Sequence, residues 1–159
     1  MTYTVVQLIG KDIPWASKLL TGRWGSPGIV SRGTLHTLEE LQGFIAKQTE
    51  KPVGLVTYRI HGNQCEIVSL DSPVEKQGVG TALIEAVKRE APSKGCTRLW
   101  TITTNDNIEA LRFWQKRGFA LVAVHRNALE VSRKLKPQIP LIGNHGIPLR
   151  DEIELELLL

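Results

Sequence analysis

Apolar and polar positions along this 159-residue chain follow two periods. Short runs rich in Val, Ile, Thr and aromatic residues predict strands at residues 2–9, 43–48, 52–60, 64–70, 97–104 and 119–125. The closing segment, residues 150–159, alternates Ile153, Leu155 and Leu157 with acidic partners and predicts a last strand. Helical spacing appears in four places. Trp15, Leu19 and Leu20 follow Asp12 as an N-cap and Pro14 in the first turn. Ala82, Leu83, Ala86 and Val87 form one face of a helix ended by Pro92 and Gly95. Ile108, Leu111, Trp114 and Gln115 form a third, with Asn105 and Asp106 as candidate caps and Gly118 just past its end. Residues 126–136 predict an extra helix. Residues 23–33 and 137–148 are broken by glycine and proline and read as loops, and "HTLEELQ" as a single helical turn.

The predicted order is strand, helix, three strands, helix, strand, helix, strand, extra helix, strand. The three consecutive strands are joined by turn-like "TEK" and "HGN", which implies an antiparallel meander. The fold class is therefore α/β (α+β), one mixed sheet with helices on its faces. No repeat, low-complexity segment or linker divides the chain. Residues 1–159 read as one domain, with an extra helix and loop at about 127–148 between the last two strands.

Charge changes this picture little. The net charge of +4 comes without a basic block, so it suits an anionic ligand and lacks the clustered stripe of a nucleic-acid binder. Cys65 and Cys96 are far apart, and His36, His61, His125 and His145 are isolated, so no metal site is expected. No apolar run approaches the ~18 residues of a membrane span. A reduced, cytoplasmic setting without a membrane partner is the expectation.

The chemistry concentrates in "SPVEKQGVGTALIEAV". Gly78 and Gly80 open a helix, whose first turn offers unpaired N–H groups and the positive end of the dipole. Such a mouth can hold phosphate; the plain alternative is a tight strand-to-helix turn. A dinucleotide fingerprint needs glycine where Leu83 stands, and a P-loop needs Gly-Lys-Ser/Thr where "GTA" stands. A third pattern fits. "EKQGVGTALI" resembles motif A of the GCN5-related N-acetyltransferases, Gln/Arg-x-x-Gly-x-Gly/Ala. Gly78 and Gly80 match, while the first position falls on Glu75 and Gln77 sits at a variable one. "NIEALRFWQKRGF" resembles that family's next motif at Asn107, Ala110, Gly118 and Phe119, with Trp114 at the usual Tyr position. The resemblance spans about residues 43–124.

The resemblance implies a mostly antiparallel sheet with a V-shaped splay between the strands "QCEIVSL" and "TRLWTITT". It implies acetyl-coenzyme A as cosubstrate, with its pyrophosphate on the backbone of Gln77, Gly78, Val79, Gly80, Thr81 and Ala82. The pantetheine would lie in the splay near Leu70, Asn107 and Trp114. The implied reaction is direct attack of an amine, from a small molecule or a protein, on the thioester. Glu66 is the candidate base, against the plain reading of a sheet ion pair; Asp71 and Glu152 are weaker candidates. The Leu70 N–H is the candidate oxyanion donor. Trp114 has no proton to deliver at neutral pH, so the usual general acid is missing. Arg23, Trp24 and Arg150 are candidate acceptor-binding residues, against ordinary surface roles. Homodimers are common among such proteins. The departures at Glu75 and Trp114 also fit an acetyl-coenzyme A sensor without turnover.

Overall fold

The computed structural model describes residues 3–72 and 78–159. Its frame is a seven-stranded sheet. In chain order the strands are β1 (Thr4–Gln7), β4 (Gln42–Gln48), β5 (Lys51–His61), β6 (Gln64–Asp71), β7 (Arg98–Thr104), β8 (Ala120–His125) and β9 (Glu152–Leu158). A separate hairpin pairs β2 (Ile29–Ser31) with β3 (Thr34–His36). The helices are α1 (Ile13–Trp24), α2 (Val79–Ser93), α3 (Ile108–Lys116) and α4 (Ala128–Leu135).

The sheet order is β1-β4-β5-β6-β7-β9-β8. Only β6 and β7 pair in parallel, because α2 carries the chain back across the sheet between them. The last strand, β9, enters between β7 and β8 and pairs antiparallel with both. The predicted extra helix and loop lie between β8 and β9 and contain α4.

Two apolar clusters cover the two faces. Phe44, Val56, Tyr58 and Ile67 from the sheet pack with Leu83, Ile84 and Val87 of α2 and Trp114 of α3. Leu55 and Val68 turn to the other face and pack with Ala16 and Leu20 of α1 and Ile29 of the hairpin. Gly54 on β5 sets the approach of α2. A Cβ there would fall 2.6 Å from Val79 Cγ1, so only glycine lets the start of α2 sit this close to the sheet.

Three local details differ from the sequence reading. The expected loop at residues 23–33 begins as the end of α1 and contains β2. Its turn has Arg32 at φ 49° and Gly33 at φ 76°, the two positive angles of a tight hairpin turn. Asn-Gly is the usual spelling of such a turn; Arg-Gly hides it. Asp12 stands at the N-cap of α1 but its side chain does not cap it. Its Oδ2 accepts from the Ile9 N–H at 3.1 Å, and its Oδ1 pairs with Lys47 at 3.2 Å. The α3 cap is Asn107, not Asn105 or Asp106: Asn107 Oδ1 accepts from the Ala110 N–H at 3.1 Å.

Candidate active site

The pairing of β6 with β7 stops at Ile67 opposite Thr101. Beyond that point β6 continues along β5 to Asp71, and β7 continues along β9 to Thr104. The two strands therefore part, and their facing backbone edges line a cleft of about 1210 Å³. That exceeds the roughly 300–1,000 Å³ of a single small-ligand pocket, so two reactants can share it.

A bulge sets which side chains of β6 look where. Thr57 faces Ser69 and Tyr58 faces Ile67, so Val68 is an extra residue with no partner on β5. Strict alternation would put Leu70 on the same face as Glu66. The extra residue instead turns Leu70 toward α2 and puts Ser69 and Asp71 on the face of Glu66, where Ser69 Oγ meets Thr57 Oγ1 at 2.6 Å. Leu70 itself, paired with Val56 of β5, lies beyond the last β6–β7 pair and lines the cleft.

One mouth of the cleft is the N-terminus of α2. Gly78 is its N-cap at φ 74°, and no side chain among the described residues caps it. The first helical bond runs from the Ala82 N–H to the Gly78 carbonyl, so the N–H groups of Val79, Gly80 and Thr81 precede the helical ladder. No acid stands in this first turn. Arg117 brings positive charge to it: Nε and Nη2 donate to Thr81 Oγ1 at 3.0 and 2.9 Å, and the guanidinium lies 3.6 Å over the Phe113 ring. Gly80 lies against that ring; a Cβ there would touch it at 3.4 Å. Glu75 and Gln77 lie outside the described residues. Ala82 lies within the helix. Trp114 is buried, edge-on to Phe113 at 5.1 Å and Phe119 at 4.9 Å, and serves as core while it borders the cleft.

Three buried carboxylates, Glu66, Asp71 and Glu152, stand in or beside the cleft. Glu66 is 6 % exposed and receives the Ser31 hydroxyl at 2.6 Å. Burial pushes its carboxyl up in pKa, partly opposed by the Ser31 hydrogen bond and Arg59, and reinforced by Glu152. His36 Nε2 lies 4.0 Å from Glu66 and has no hydrogen-bond partner among the described residues. Burial and Arg59 lower its pKa, which keeps it neutral. Asp71 is also buried and raised by burial, against the pull of Arg23 at 3.2 Å; its Oδ2 has no hydrogen-bond partner among the described residues. Glu152 accepts from the Arg32 backbone and guanidinium, both at 3.3 Å.

Arg23 and Trp24 border the cleft at the end of α1. Arg23 Nε pairs with Asp71 Oδ1 at 3.2 Å, while half of its side chain stays exposed. Arg150 does not line the cleft: its exposed guanidinium pairs with Asp151 at 3.1 Å. Asp71 and Glu152 do line it, whereas Glu66 does not.

Several residues that the sequence reading did not single out complete the site. The segment 138–149 contributes Gln138, Ile139, Pro140 and Leu149 to the lining. Arg133 of α4 anchors that roof by donating to the carbonyls of Ile139, Pro140 and Leu149. The Lys136 ammonium, buried and lowered in pKa by it, donates to the Gly28 carbonyl at 2.8 Å and ties α4 to the hairpin. Ser31 has a faint signal in "GIVSRGTLH", where β-branched residues precede a turn dipeptide.

The acetyltransferase (GNAT) family model matches residues 15–119. The chain belongs to that family. It is 45 % identical over 131 residues, 82 % of each chain, to the Bacillus subtilis protein YdhI, and 41 % identical over 146 residues, 91 % of each, to YxbD of the same organism. Both are described as uncharacterized. Among solved structures, an IAA acetyltransferase from Bacillus cereus superposes with a TM-score of 0.77 at 20 % identity, covering 99 % of this chain and 100 % of that one. A GNAT acetyltransferase from Elizabethkingia anophelis with acetyl-CoA bound gives 0.72 at 21 % identity, covering 99 % and 98 %. At such identities these structures establish the GNAT fold, the mostly antiparallel sheet flanked by helices. Among the described residues no helix is long and apolar enough to cross a membrane.

Proposed function

We propose that this GNAT protein transfers an acetyl group from acetyl-coenzyme A to an amine of a small molecule or a protein, by direct attack within a ternary complex. One observation carries the reading: a single cleft joins a helix N-terminus that no described side chain caps, two open strand edges and a set of buried carboxylates. The N–H groups of Val79, Gly80 and Thr81, with Arg117 beside them, suit a pyrophosphate. The β6 backbone edge near Leu70, beyond the last pair with β7, suits an extended amide-bearing arm and an oxyanion. Asn107 keeps its amide nitrogen for the same arm, its oxygen being the α3 cap.

The acceptor amine has to lose a proton, and Glu66 is the proposed destination. Its raised pKa brings it closer to the working range than a solvated carboxylate. On the departing side neither Tyr3 nor Tyr58 lines the cleft. Tyr58 is buried and pushed up to about 12, and Trp114 is core. A thiolate of pKa about 8.5 leaves without one and takes its proton from water. Trp24 and the roof at 138–149 form the acceptor end. The buried Trp114 at the usual Tyr position favours a second reading, a coenzyme sensor without turnover.

Acetyl-coenzyme A at about 100 times its Kd should stabilise the protein by about 2.7 kcal/mol, or roughly 5–10 °C in melting temperature. Thiol release in the presence of an amine panel should identify the acceptor. No thermal shift at saturating coenzyme would sink both readings, and a shift with no release on any amine would favour the sensor.

A further inference from the structure

We propose that Ser31 is a catalytic residue, its hydroxyl taking a proton from the attacking amine while passing its own to Glu66. The proposal rests on the acyl-transfer reading above. Glu66 lies behind Ser31 of the β2–β3 hairpin and, unlike Ser31, does not line the cleft, so Ser31 stands between the carboxylate and a substrate amine. Ser31, on β2, does line the cleft, and its Oγ–H points at Glu66 Oε2 across 2.6 Å. Among the described residues it is the cleft-lining side chain hydrogen-bonded to that carboxylate. Donating to Glu66 leaves the Ser31 oxygen lone pairs for a proton from the cleft.

The step balances. As the amine nitrogen bonds to the acyl carbon, one N–H bond breaks and its proton goes to Ser31 Oγ. The original Oγ–H proton goes to Glu66 Oε2. The hydroxyl is restored, Glu66 becomes neutral, and the C–S bond pair departs with the thiolate. Nothing is oxidised or reduced.

The groups around Glu66 suit a carboxylate that changes charge. His36 from β3, Arg59 from β5, and Glu152 and Glu154 from β9 face it. His36 is neutral and its Nε2 at 4.0 Å is too far for a hydrogen bond; Arg59 favours the ionised carboxylate through space only, and among the described residues no cation is hydrogen-bonded to it. The competing role for the Ser31–Glu66 bond is purely structural, a pin that holds the hairpin onto β6. A pin would affect melting temperature, with no reason to affect proton transfer.

The test uses the full chain with saturating acetyl-coenzyme A. Thiol release is followed from pH 6 to 9 with methylamine as the acceptor and, separately, with water alone. Ser31→Ala and Glu66→Gln are each expected to lower kcat about 100-fold in both reactions, within the usual span for general-base catalysis. The double variant should be no slower than either single one, because the two groups act as one unit. Ser31→Thr, which keeps the hydroxyl, should recover to within about fivefold of the wild type. The acid limb of the pH profile should vanish in Ser31→Ala. The coenzyme-induced rise in melting temperature should persist in every variant. Ser31→Ala within threefold of wild type, losses that multiply in the double variant, or no release above the protein-free rate from wild type that binds coenzyme would each overturn the relay. Absence of the thermal shift in wild type would instead overturn the acyl-transfer reading on which it stands.

Discussion

Glu66 sets stability against chemistry at a single residue. Its carboxyl is raised in pKa by burial, so the native state binds the proton more tightly than the unfolded chain. The stability this contributes is complete below the unfolded glutamate pKa of about 4.3 and is lost as pH rises through the higher folded value. Glu66→Gln removes that loss. The amide oxygen can still accept from Ser31, and its nitrogen can turn to His36 Nε2, which has no hydrogen-bond partner among the described residues. The variant should therefore gain roughly 1–3 kcal/mol at pH 7.5, the usual cost of a buried polar atom left unsatisfied. The advantage should close near pH 4. His36, lowered in pKa, loses its own contribution as pH falls through its range, and the amide introduced by Glu66→Gln, bonded to its Nε2, would strengthen that dependence in the variant. Paired melting curves at the two pH values check this, and a variant less stable than wild type at pH 7.5 would contradict it.

Among the elements, the start of α2 depends most on one residue. Gly78 holds φ 74° as the N-cap, a conformation that costs an L-residue about 1–2 kcal/mol. A Cβ there would also come within 3.3 Å of the Tyr3 hydroxyl. Gly78→Ala should lower stability by about that amount, read as a shift in urea midpoint at unchanged slope. It should also tilt the first turn and weaken acetyl-coenzyme A binding. An unchanged midpoint would mean that the turn relaxes without strain. The motif spelling made this glycine legible in advance. The bulge at Val68 was not legible, since "QCEIVSLD" reads as an unbroken strand and only the register against β5 shows the extra residue.

For the molecule as a whole, the proposed acceptor end depends on how far-apart segments lock together. Arg133 on α4 joins Ile139, Pro140 and Leu149 through three carbonyls, a fan of donors that a lysine cannot copy. Arg133→Ala should cost roughly 1–3 kcal/mol, at about 0.5–1.5 kcal/mol for each lost hydrogen bond with some compensation by water. It should raise the KM for the amine while leaving coenzyme affinity within about twofold, because α2 is untouched. Limited proteolysis should show faster cleavage within 137–148. Equal effects on both substrates would show that the roof also supports the coenzyme arm.

The sequence by itself determined the elements with strong period and clear punctuation: the meander, the glycine-opened α2, the α3 that ends before Gly118, and the alternating last strand. Those follow from interactions within about four residues, which composition and spacing record. It also pointed to the family, because Gly78 and Gly80, then Asn107, Ala110, Gly118 and Phe119, stand at the spacing of two of its motifs. Tertiary structure alone decided what stands against what. It parted β6 from β7 after Ile67, re-phased β6 at Val68, hid Glu66 behind Ser31 and paired Arg23 with Asp71. It also moved Arg150 out of the cleft and onto Asp151. Each of these is a contact between side chains or strands whose partner is set by packing, and a hairpin spelled Arg-Gly left no local sign that Ser31 would sit over the candidate base.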